Sequence, residues 1–213
     1  MPAATPRLFL PGFAAPARLY RPGLPCDWET IDPPRFRHAP DRASLQRWLL
    51  DEIDARGGRA VLAGHSMGAA LALLAAAASP ERVARLVLAS PAGLPLTKPM
   101  LASARDFARQ FTAGLYPLRD VAGAALEAAR APRSALRLAR AVRDLDLTEE
   151  MGRVRAAGIP TTVMGCASDT LVTPAHCRRA ARLLGVPYRD VCLTGGHMWM
   201  LGAWTLLAAE LAG

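Results

Sequence analysis

Short apolar runs bounded by Gly or Pro alternate along the chain with longer Ala-, Leu- and Arg-rich stretches of helical period. Strands buried on both faces read as continuous apolar runs, so this alternation predicts a parallel sheet covered by helices. The runs place strands at Arg7–Leu10, Trp28–Ile31, Ala60–Ala63, Ala84–Ala89, Thr161–Met164 and Tyr188–Leu193. Helices fit between them. Ser44–Ala55 carries Leu45, Trp48, Leu49 and Ile53 on one face, and Met67–Ala78 is nearly all small or apolar. Pro174–Leu184 opens with Thr173 as N-cap and Pro174 at the first helical position.

Between Ser90 and Pro160 the rhythm becomes mainly helical, which predicts an insertion over residues 95–150 that caps the sheet. Within it, Pro132–Val142 puts Arg133, Arg137 and Arg140 on one helical stripe and Leu138, Ala141 and Leu145 on another. At 213 residues and 52% hydrophobic content the chain can bury one substantial core, so residues 1–213 read as a single domain. No stretch reaches the roughly 20 uninterrupted apolar residues of a membrane span. The first residues carry no basic stretch followed by an apolar core, so the expected location is cytoplasmic. Cys26, Cys166, Cys177 and Cys192 lack C-x-x-C spacing and are expected to be buried thiols rather than metal ligands. The net charge of +8 comes from arginines spread along the chain, with Lys98 the one lysine. A solvated surface follows, not a nucleic-acid interface, which would want a compact basic cluster or a recognisable module.

The sharpest chemical signal is Gly64-His65-Ser66-Met67-Gly68, a G-x-S-x-G pattern directly after one predicted strand and before one predicted helix. Small residues two before and two after the serine let backbone segments approach closely at such a turn. The helix start beyond it offers unpaired N–H groups to a developing oxyanion. A hydroxyl is a poor nucleophile without a base to take its proton. Of four histidines, His38 lies in a Pro/Arg-rich loop, His65 is committed at the turn and His176 falls in the first turn of a helix. His197 follows the last strand after Gly195 and Gly196, at the sheet edge where open α/β folds place their ligands. An acid must orient that histidine, and Asp169, just beyond the fifth strand, lies on the same edge; Asp32, Asp144 and Asp146 are weaker rivals.

The order Ser66, Asp169, His197 on successive strand ends, with the last two 28 residues apart, resembles the α/β-hydrolase superfamily over most of the chain. The resemblance implies an α/β-hydrolase fold: a mostly parallel six-stranded sheet with helices on both faces and the helical cap. Leu8-Phe9-Leu10-Pro11-Gly12-Phe13 resembles the family's first oxyanion loop, implying that the backbone N–H groups of Phe13 and Met67 form the oxyanion hole. Pro11 stands where the family usually has histidine.

The expected activity is a serine hydrolase that cleaves an ester or thioester of an apolar acyl group through an acyl-enzyme, carboxylesterase-like, with no cofactor or metal. Met100, Leu101, Phe107, Phe111, Leu115 and Tyr116 of the insertion, with Met198, are candidates to line the acyl site. The expected partner is a small-molecule acyl substrate. An acidic acyl carrier docked on the arginine stripe is a further candidate, by analogy with the caps of biotin-pathway esterases. A carbon–carbon bond hydrolase or an acyltransferase would use the same triad, and a non-catalytic ligand-binding protein would keep the fold without turnover.

Overall fold

The computed structural model describes residues 4–13, 15–34, 41–96, 98–112, 122, 126, 129–192 and 194–212, and the side chains at 100, 104, 107, 110–112 and 192 fall outside that description. Its strands are β1 (Arg7–Leu10), β2 (Trp28–Thr30), β3 (Ala60–His65), β4 (Val83–Ala89), β5 (Thr161–Cys166) and β6 (Tyr188–Cys192). They form one sheet in the order β2-β1-β3-β4-β5-β6, with every neighbouring pair parallel. All six therefore deliver their carboxyl ends to the same rim. The chain runs outward from β1 to β2, then crosses back to β3 and continues the other way. The reversal lies between β1 and β3, and such a switch point leaves a crevice beyond the strand ends.

The helices are α1 (Arg42–Asp54), α2 (Met67–Ala78), α3 (Met100–Thr112), α4 (Pro132–Arg143), α5 (Thr148–Ala156), α6 (Pro174–Leu184) and α7 (Trp204–Ala212). Alternation along the strands sorts the core into two layers. Leu8 and Leu10 of β1, Leu62 of β3 and Leu86 and Leu88 of β4 pack beneath α1, α2, α5 and α6. Phe9, Ala63, Val87 and Met164 face the other way, against Tyr20, Trp199, Leu207 and Leu211.

Local signals in the sequence fix the helix starts. The Asp41 carboxylate accepts from the Ser44 N–H at 2.7 Å, and the Thr173 hydroxyl accepts from the His176 N–H at 3.3 Å. Gly185 ends α6 in the left-handed region at φ 73°. Within the excursion between β4 and β5 the described residues form α3, α4 and α5 and no strand. Met151 and Val154 of α5 belong to the main core, so this helix joins the layer over the sheet.

Leu62 is fully buried between β3 and α2, whereas Leu101 is 84% exposed. Leu62→Ala should therefore cost about 2–5 kcal/mol of unfolding free energy, and Leu101→Ala within about 0.5 kcal/mol of none. Urea denaturation checks both.

Candidate active site

The turn from β3 to α2 lifts Ser66 out at the rim with φ 53° and ψ −114°, a conformation costly for any residue with a side chain. Its surroundings force it there. The Ser66 N–H donates to Ala89 O at 3.0 Å, and its carbonyl accepts from Ala70 and Ala92. A Cβ on Gly68 would lie 2.1 Å from Leu10 O, and one on Gly64 would lie 2.4 Å from the Gly68 backbone. Glycine is thus required at both places so that α2 can start against the end of β1. Met67 opens α2, where amide N–H groups have no acceptor within the helix.

His197 stands in the 3-10 turn Gly196–Gly202, after two glycines with positive φ. Its Nδ1 lies 2.8 Å from Asp169 Oδ2, with both residues 3% exposed. The other carboxylate oxygen, Oδ1, accepts from the Leu171 and Val172 N–H groups at 2.9 Å each. An acid held in this way fixes the proton on Nδ1 and leaves Nε2 as the basic nitrogen. Two further bonds tether the histidine loop. Gly196 N–H donates to the Ser168 hydroxyl at 3.0 Å, and Trp199 Nε1–H donates to the hydroxyl of Ser90, itself at φ 43°.

Ser66 and His197 line one cavity of about 210 Å³. Gly12 and Phe13 border it from the β1 loop, and Met198 from the histidine loop. Leu96, Ser103, Val142 and Arg143 bring the excursion to the same space. His65 lines it too: the Tyr20 hydroxyl lies 3.3 Å from Gly12 N and 2.8 Å from His65 Nδ1, and His65 Nε2 lies 2.9 Å from His197 O. Among the described residues no three His, Cys, Asp or Glu side chains converge where they could hold a metal ion.

Some expectations require correction or lie beyond the description. Cys26 is exposed, because it sits in the loop before β2; Cys166 and Cys177 are buried as expected. Leu101 projects to solvent from α3 instead of lining the cavity. The side chains of Met100, Phe107 and Phe111, and all of Leu115, Tyr116 and His38, lie outside the described residues. Ala141 of α4 is exposed, as are Arg133, Arg137 and Arg140, while Leu138 is buried. The rival acids are occupied elsewhere: Asp32 accepts from Ala17 N–H, Asp146 from Thr148, and Asp144 pairs with Arg143. Sequence reasoning missed Tyr20, Ser103, Val142 and Arg143, none of which stands in a motif.

Burial pushes the His65 imidazole well below its ordinary pKa of 6.5, and burial also lowers His176. Both recover ordinary proton affinity on unfolding. Below about pH 6.5 the unfolded chain then binds more protons than the folded one, so stability is complete above that pH and declines beneath it. Urea midpoints should be level from pH 8 to 7 and fall between pH 6.5 and 5; a midpoint independent of pH over that range contradicts the assignment.

Comparison with known proteins agrees with this architecture. The model of the Alpha/beta hydrolase family matches residues 5–210. Among solved structures, a hydrolase from Pseudomonas aeruginosa PA01 shares 20% identity over 99% of this chain and 92% of its own, with a TM-score of 0.66. A thermophilic esterase from Thermogutta terrifontis shares 17% over 99% and 89%, at 0.65. A meta-cleavage product hydrolase from Pseudomonas fluorescens IP01 shares 15% over 99% and 92%, at 0.68. None of the curated proteins matches in sequence, and no helix among the described residues is long and apolar enough to cross a membrane. With the family model matching residues 5–210, nearly its whole length, the chain belongs to the alpha/beta hydrolase family.

Proposed function

We propose that this protein is a serine hydrolase that cleaves an ester or thioester bond through an acyl-enzyme on Ser66. The observation that carries the reading is the 2.8 Å bond between His197 Nδ1 and an Asp169 carboxylate whose other oxygen is clasped by two backbone N–H groups, beside the cavity that Ser66 lines. In this reading His197 Nε2 takes the Ser66 hydroxyl proton as Oγ attacks the acyl carbon. The imidazolium, stabilised by Asp169, then protonates the leaving group. Water activated by the same nitrogen hydrolyses the acyl-enzyme and restores Ser66. The N–H groups of Phe13 and Met67 would hold the oxyanion in both steps. Phe13 lies in the loop after β1, and Met67 is the first residue of α2, directly after Ser66.

The cavity's volume of about 210 Å³ is small beside the roughly 300–1,000 Å³ of sites for larger ligands, which favours a short acyl group. Its walls at Phe13, Leu96, Val142, Leu171 and Met198 are apolar, so the acyl group is apolar too. The excursion would act as a cap that closes this site from above. We read the exposed Arg133, Arg137 and Arg140 as a solvated face. A carbon–carbon bond hydrolase is the second reading, favoured by the likeness in fold to the meta-cleavage product hydrolase.

Steady-state hydrolysis of short p-nitrophenyl esters tests the proposal. Ser66→Ala should abolish turnover, and Asp169→Asn, which frees the wrong tautomer, should lower kcat on the order of 10³–10⁴-fold with an intact fold. Retention of wild-type kcat in either variant contradicts the assignment. Turnover of a ring-cleavage dienone in place of all esters would select the second reading. Arg133→Ala, Arg137→Ala and Arg140→Ala combined should leave turnover of an acyl-carrier thioester unchanged; a tenfold rise in KM would instead mark a docking face.

A further inference from the structure

We propose that His65 is a positioning residue, a neutral imidazole that works with Tyr20 to tie the oxyanion loop to the backbone of the catalytic base. The inference rests on the roles given above to Ser66, His197 and the β1 loop. Hydrogen-bond chemistry fixes the direction of the whole chain. A carbonyl oxygen can only accept, so His65 Nε2, 2.9 Å from His197 O, carries a hydrogen and donates it. The neutral ring then has its lone pair on Nδ1, and the Tyr20 hydroxyl, 2.8 Å away, donates its single hydrogen there. That leaves the Tyr20 oxygen to accept the Gly12 N–H at 3.3 Å. The relay reads Gly12 N–H to Tyr20 O–H to His65 Nε2–H to the His197 carbonyl, with each hydrogen donated once.

The two ends of this relay are the parts of the site that must keep register. Gly12 immediately precedes Phe13, whose N–H is the proposed oxyanion donor, and His197 is the proposed base. Pro11 has no N–H, so Gly12 supplies the first amide donor of the loop after Leu10. The packing is close: a Cβ on Gly12 would stand 2.8 Å from His65 Nδ1. The rings of His65 and His197 lie 4.6 Å apart between centroids. A cation at that distance would oppose protonation of the base, whereas a buried neutral ring adds no charge. Tyr20 and His65 are fully or almost fully buried, which strengthens the bonds of the relay.

The test compares His65→Leu, His65→Gln and Tyr20→Phe on a short p-nitrophenyl ester, with thermal melting as a check on folding. Glutamine can donate to His197 O and accept from Tyr20, while leucine can do neither. His65→Leu should lower kcat about 10- to 100-fold with KM within about twofold, since misplacing a base or donor acts on the transition state. His65→Gln should restore most of that loss, and Tyr20→Phe, which keeps the ring, should lower kcat about tenfold. Nitrogen NMR of the folded wild type at pH 7 should find His65 neutral with its proton on Nε2. The inference is overturned by a folded His65→Leu with wild-type kcat, by equal losses in the leucine and glutamine variants, or by a proton on Nδ1. Wild type inactive on every ester would overturn the parent reading as well, and is told apart from those results by the wild-type rate itself.

Discussion

The start of α2 presses against the end of β1 more tightly than any side chain would allow, and the site is built on that contact. The first turn of the helix meets the carbonyls of Leu10 and Pro11 across Gly68, while Gly64 gives the helix start room from the strand side. With β1 and β3 fixed side by side by sheet pairing and α2 packed against the end of β1, the single residue between strand and helix must take up the turn. Ser66 does so at φ 53°. A strained backbone of this kind persists only where the surroundings over-determine it. Here they are the parallel pairings of β3 with β1 and β4, and the bonds of Ser66 to Ala89, Ala70 and Ala92.

That contact places polar groups where polarity is expensive. Ser66, His65, Asp169 and His197 are all buried at the rim, and a buried polar group without partners costs several kcal/mol. For Asp169, His197 and His65 that cost is offset by directed side-chain bonds. Asp169 has two amides and an imidazole, and His65 has a phenol and a carbonyl. The loops after β1, β3, β5 and β6 are consequently bonded to one another as well as to the sheet. In the proposed reaction, chemistry at this rim would draw on groups whose orientation is set before a substrate arrives, which is what electrostatic stabilisation of an oxyanion needs.

The centre of the sheet was legible because its strands are largely buried on both faces. Runs such as Arg7–Leu10 and Thr161–Cys166 have no polar alternation to confuse with a surface helix. Ser66, His197 and Asp169 could be placed together because parallel strands bring residues remote in sequence to one edge. α5 was legible only as part of the mainly helical stretch from Ser90 to Pro160, without bounds of its own, and α7 was not legible. In α5 the central Gly152 weakens the helical signal, and burial of Met151 and Val154 decides the matter instead. In α7 the Leu/Ala run lacks a polar face to mark its period. The Tyr20–His65 relay was invisible for a different reason: it joins residues 45 and 132 positions apart through atoms, not through any spacing of residue types. Exposure of Cys26 likewise depends on how a loop lies, which composition does not encode.

In the proposed mechanism the Ser66 oxygen is a nucleophile activated by His197. Intact-mass and peptide mass spectrometry after exposure to a fluorophosphonate reads this directly, since the reagent phosphonylates only an activated hydroxyl. One adduct per chain is expected, located on Ser66, with its formation slowed at least about a hundredfold in His197→Ala. An unmodified chain, or an adduct on another residue, would contradict it.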